Sequence, residues 1–146
     1  MRYDVNFTMG AALAPIVTHI YTLEGINTGF SEKLSEHSVT DAEVLKVNTS
    51  FARIYDVFGT SNLSFIDKIE VFVYNPDEPS QKWLAAIEDP VLNNVKDEIK
   101  LFPAITDFKD IVNTDMINIE IKIRLRDISP EEIDFRLELT MLALKQ

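Results

Sequence analysis

From Met116 to Arg126 the chain reads MINIEIKIRLR, with apolar side chains at Ile117, Ile119, Ile121, Ile123 and Leu125 and polar ones between them. Strict alternation sends successive side chains to opposite faces of an extended backbone, and β-branched isoleucine suits that pleated surface. The segment therefore predicts a half-buried strand. After Asp127-Ile128-Ser129-Pro130-Glu131-Glu132 the alternation resumes at Ile133, Phe135, Leu137, Leu139, Met141 and Ala143. Two long strands around a short Ser-Pro turn predict an antiparallel hairpin. Charge suggests its register: Arg126 opposite Asp134, Arg124 opposite Arg136 and Lys122 opposite Glu138, which matches two of three pairs in sign.

Earlier segments repeat the theme less cleanly. Tyr3 to Thr8 and Ile16 to Leu23 read as strands. Leu45 to Phe58 carries apolar residues on both parities, the pattern of a strand covered on both faces. Phe65 to Asn75 ends at Asn75-Pro76-Asp77-Glu78-Pro79, because proline cannot donate to a ladder; Gln81 to Glu88 then restarts, giving a second expected hairpin. Asp97 to Leu101 is a short strand stopped by Pro103.

Helical signals are sparse. Thr40-x-x-Glu43 has the form of a capping box, with at most one or two turns expected within Ser31 to Val44, and Phe108 and Ile111/Val112 are spaced for one short helical turn. About eight strands with one or two short helical turns in 146 residues predict an all-β chain, a single domain over 1–146. The expected architecture is a two-layer antiparallel β-sandwich, immunoglobulin-like or jelly-roll, with a closed barrel as the alternative.

At the end of the last strand, Leu139 to Leu144, alternation gives way to apolar residues on both faces: Leu142 and Leu144 join the outer side. An apolar outer face needs a cover. The cover is expected to be the Ser31 to Val44 segment or another protein, which makes Leu142 and Leu144 the candidate interaction surface.

Charge narrows the partners. Lys and Arg number 14 against 24 Asp and Glu, a net charge of −10. Phosphate backbones and anionic membrane surfaces recruit cations, so neither nucleic acid nor an acidic bilayer is an expected partner. No apolar run reaches the length of a transmembrane helix. Met9 to Leu23 is broken by Pro15 and His19, and although Ala12-Leu13-Ala14 has the form of a leader-cleavage site, Asp4 and Asn6 stand where a basic region would. The absence of cysteine excludes disulfides, thiol nucleophiles and thiolate metal sites.

Catalytic signatures are missing. The four glycines are scattered, no G-x-S-x-G elbow occurs, and His19 and His37 are the only histidines. No catalytic residue, metal ligand or cofactor is assigned. Paired acids such as Asp77-Glu78, Glu88-Asp89, Asp97-Glu98, Asp107 with Asp110 and Glu131-Glu132 read as solvated loop charge. A carboxylate pair for glycoside hydrolysis and a loop calcium site at Asp77, Glu78 or Asp89 are the alternatives. Phe72, Tyr74 and Trp83 would gather if the second hairpin forms, possible as core or as an aromatic platform for sugars or peptides; Tyr74 and Trp83 are its candidate ligand-binding residues.

The Phe108-Lys109-Asp110-Ile111-Val112 turn followed by two alternating strands resembles the end of small, uncharacterised β-sandwich domains of bacterial cell-envelope lipoproteins, over about the last 80 residues. The lipid-accepting cysteine of such proteins has no counterpart here. The resemblance implies a non-catalytic role and an envelope or periplasmic location reached through a leader, and it carries over no functional residue. The expectation is a binding or structural-association module with a protein or carbohydrate partner.

Overall fold

A computed structural model describes residues 1–92 and 94–146. Eight strands carry the chain: β1 (Arg2–Met9), β2 (Thr18–Asn27), β3 (Val44–Asp56), β4 (Ile66–Tyr74), β5 (Trp83–Glu88), β6 (Glu98–Pro103), β7 (Met116–Leu125) and β8 (Ile133–Lys145). Two short helices, α1 (Phe30–Glu36) and α2 (Lys109–Val112), lie in the connections. A 3₁₀ turn at Asp41–Glu43 is closed as a capping box, with the Glu43 carboxylate accepting from the Thr40 N–H at 2.7 Å and from its hydroxyl at 3.0 Å.

The strand order is β1-β8-β3-β6-β5-β4-β7-β2, antiparallel throughout. The ladder folds over at β6, whose first part pairs with β3 and whose last two residues pair with β5. One layer is thus β1-β8-β3-β6 and the other β5-β4-β7-β2. First strand beside last, with most consecutive strands in opposite layers, is the jelly-roll arrangement and not the immunoglobulin one. The layers meet again at the far edge, where the Phe7 and Tyr21 rings lie 4.9 Å apart. No β1–β2 ladder joins the described residues there, so the sheet is not a closed barrel.

The isoleucine row of β7 and the apolar row Ile133–Met141 of β8 are buried as the alternation requires. They face the core from opposite layers, which corrects the expected hairpin: β7 pairs with β4 and β2, and β8 with β1 and β3. Asp134 stands opposite Thr8, Arg136 opposite Asn6 and Tyr55, and Glu138 opposite Asp4 and Arg53, so the proposed charge register does not form. Alternation fixes which side of a strand is inward and leaves its neighbour open. The connection between β7 and β8 crosses from one layer to the other, held by Ser129. Its hydroxyl donates to the Gly10 carbonyl at 2.9 Å and accepts from the Leu13 N–H at 2.8 Å. The second expected hairpin, β4–β5, does form.

β3 explains its own mixed pattern. Register shifts between Val44 and Lys46 and between Thr49 and Phe51 each insert one residue, reversing which parity points inward. Val44, Val47, Thr49, Ala52 and Ile54 are buried in turn. What reads as a strand covered on both faces is a one-faced strand with two bulges. The Ser31–Val44 segment does not cover the outer face of β8 either: α1 sinks Phe30 into the core, while Leu142 and Leu144 remain 52% and 42% exposed.

Candidate functional site

The turn between β4 and β5 is built by its sequence. The Asn75 side chain accepts from the Asp77 N–H at 2.9 Å, and backbone bonds from Glu78 to Asn75 and from Gln81 to Glu78 close two successive turns around Pro76 and Pro79. The chain then enters β5 at Trp83, directly opposite Val73. A second wall comes from the segment after β6. The Thr106 hydroxyl donates to the Leu84 carbonyl at 2.9 Å, the Asp107 carboxylate accepts from the N–H groups of Val47 and Lys109, both at 3.0 Å, and the Phe108 N–H donates to the Val47 carbonyl at 2.8 Å. These bonds pin the loop to both β5 and β3.

Between the two walls lies a cleft of about 480 Å³ lined by Asn75, Glu78, Gln81, Trp83, Thr106, Asp107, Asp110 and Ile111. Trp83 is 47% exposed within it. An apolar ring beside amide and carboxylate groups can stack on the C–H face of a polyhydroxylated ligand while the polar side chains accept its hydroxyls. The cleft's charge comes from Glu78, Asp107 and Asp110, and neither lysine nor arginine lines it.

Tyr74 and Trp83 do not share this surface. Tyr74 follows inward-facing Val73 and so points to the outer face, opposite Asn118. It is buried there under Lys82, whose ammonium lies 5.0 Å from the ring centroid and 3.1 Å from Glu120. Phe72 is on the same outer face, with Lys122 at 5.0 Å. The tyrosine is a packing residue of the outer sheet, and only the tryptophan reaches the cleft. In the sequence Glu78, Asp107 and Asp110 read as loop charge, with Glu78 also a calcium alternative, and Asn75, Gln81 and Thr106 carry no signal of their own. The clustered prolines around Glu78 were the available signal.

The other candidate residues are dispersed. His19 bonds the Ala14 carbonyl through Nε2 at 2.9 Å, and His37 is the exposed C-cap of α1. No group of three metal-binding side chains converges among the described residues. Glu88 lines a separate cavity of about 390 Å³ with Asp97 and Glu98. Burial, then the neighbouring Asp89 charge, pushes its carboxyl above the usual range. Glu98 is engaged by Arg53 at 3.5 Å. Asp56 is the opposite case. Burial alone would raise its carboxyl, but N–H bonds from Phe58, Ser61 and Thr60 outweigh that and hold it below the ordinary value.

No family model and no curated protein matches this sequence. Among solved structures, the chain is similar to a carbohydrate-binding module of the β-sandwich superfamily, at 14% identity and a TM-score of 0.41. The likeness covers 97% of this chain and 56% of that one, so this chain spans little more than half the other's length.

Proposed function

We propose that this jelly-roll is a non-catalytic binding module that holds a neutral saccharide against Trp83. The observation that carries the reading is the half-exposed indole, which with the Asn75 and Gln81 amides forms one wall of a cleft whose other wall offers the Asp107 and Asp110 carboxylates and the Thr106 hydroxyl on a pinned loop. Three carboxylates without a lining cation disfavour anionic ligands, uronic acids and nucleic acids included. Trp83 is the only tryptophan, so its fluorescence reports the site directly. Titration with neutral oligosaccharides of several linkage types is expected to give a saturable change for at least one series. Trp83→Ala should abolish binding measured by calorimetry while leaving the β-sheet circular dichroism intact. Absence of binding across all series, or binding unaffected by Trp83→Ala, overturns the reading.

Absence of catalysis is part of the proposal. Two acidic clusters could serve a hydrolase, Glu88 with Asp97 and Glu98 in one cavity and Glu78 with Asp107 and Asp110 in the Trp83 cleft, and release of reducing sugar that is lost in Glu88→Gln or Glu78→Gln would replace the binding reading with an enzymatic one. Placement at a bacterial cell envelope belongs to the same proposal. It is supported by the lipoprotein-like pattern from Phe108 to Lys145 and is tested by fractionating the native host.

A second reading, protein association, is favoured by one observation. Leu142 and Leu144 on β8 and Phe51 on β3 lie half-exposed on the outer face of one layer. A variant effect on self-association tests it, as set out below.

A further inference from the structure

A cavity of about 240 Å³ opens between α1 and the end of β8. Phe30, Val44 and Met141, none more than 3% exposed, contribute its deepest side chains. Leu34 and Val39 add apolar wall. Lys33, His37 and Lys145 line it as well, and the two lysine side chains are 52% and 58% exposed, so the apolar groups lie deep and the cations at the mouth. No carboxylate lines this cavity, although the chain as a whole carries a net charge of −10. The carboxylates nearest these lysines are held in exposed pairs, Lys33–Glu36 at 3.0 Å and Lys145–Glu43 at 3.5 Å, contacts that exchange readily for another anion.

We propose that this cavity binds a short aliphatic carboxylate, with its tail over Phe30, Val44 and Met141 and its head group between Lys33 and Lys145. Charge complementarity selects the anion: a cationic amphiphile would gain the same apolar burial but be repelled by the lysines, and a neutral one would gain no ion pair with them. Volume selects the length. At roughly 30 Å³ for each water-sized group, the space admits about eight such groups, a chain of about eight carbons. The site is distinct from the Trp83 cleft and shares none of its lining residues.

Methionine-methyl NMR tests it, because Met1 and Met141 line the cavity whereas Met9 and Met116 do not. Titration with octanoate is expected to move the Met141 methyl resonance along a saturable curve and leave that of Met116 in place. Octylamine and octanol, with the same tail, should bind at least about fivefold more weakly. The Lys33→Glu, Lys145→Glu double variant, its fold checked by circular dichroism, should lose about tenfold in octanoate affinity. Absence of a saturable Met141 shift, equal binding of octylamine, or unchanged affinity in the double variant overturns the proposal.

Discussion

Arg53 and Glu138 face each other across the β3–β8 ladder, with Nε 2.6 Å from the carboxylate Oε2. The glutamate side chain is only 12% exposed and the arginine 30%. Arg2, at 3.6 Å, and Glu98, on the far side of Arg53, extend the pair into a line of charges across four strands. The bond to Glu138 comes first among the causes that raise the Arg53 guanidinium above its ordinary value.

A double-mutant cycle of Arg53→Met and Glu138→Gln is therefore expected to give a coupling energy of about 1 kcal/mol, at the upper end for a cross-strand ion pair, because the carboxylate is mostly withdrawn from water. Urea denaturation measures it. Coupling that vanishes at low salt would mean the pair is ordered in geometry only.

Asp56 gives the acid sensitivity of the fold. Its carboxylate, only 4% exposed, accepts the N–H groups of Phe58 at 3.0 Å, Thr60 at 3.1 Å and Ser61 at 2.9 Å, closing the turn at Gly59, whose φ of +67° suits glycine. Its folded value is depressed, so its stabilisation is fully present above the unfolded value of about 3.9 and disappears as pH falls through the folded one. Asp56→Asn is expected to cost about 2 kcal/mol at pH 7 and nearly nothing once the wild-type carboxylate is protonated. Stability curves of both proteins between neutral and acidic pH should converge downward. Parallel curves would contradict the assignment.

The strands and their inward faces were legible because alternation is a local consequence of the extended backbone. Ile117 through Leu125 and Ile133 through Met141 each declare a face without reference to anything else. Pairing is not local. Leu139 finds Tyr3 on one side and Ala52 on the other, and nothing within β8 names either partner. The bulges of β3 hid for a related reason: an inserted residue reverses parity, and a sequence read at constant period turns that reversal into a false second apolar face. At the cleft, Trp83 announced itself by type. The opposing wall did not, because Asp107 is set there by a bond from the Val47 N–H, 60 positions away, and Thr106 by one to the Leu84 carbonyl, 22 positions away.

Leu142 and Leu144 separate association from mere exposure. Both lie outside the core, so Leu142→Glu with Leu144→Glu should change the unfolding midpoint by less than about 0.5 kcal/mol equivalent. If this face is an association surface, sedimentation of the wild type should show concentration-dependent assembly that the double variant lacks. A wild type that remains monomeric and retrieves no partner through these residues would leave the two leucines as ordinary surface.

Ser129 tests the crossover that replaced the expected hairpin. Only 1% exposed, it takes four bonds from the 10–13 segment: its hydroxyl joins Gly10 and Leu13, its carbonyl accepts the Ala12 N–H at 2.8 Å, and its N–H reaches the Leu13 carbonyl at 3.4 Å. Ser129→Ala keeps the backbone pair and removes both hydroxyl bonds, stranding a partly buried N–H and carbonyl. The expected cost is about 2 kcal/mol, the penalty for unpaired polar groups and not merely for a lost contact. Amide exchange should rise first at Leu13 and in the neighbouring ends of β1 and β8, since the crossover is what clamps that edge of the sandwich. A uniform rise across all strands would instead mean that Ser129 supports the whole core equally, and the clamp would have to be sought elsewhere.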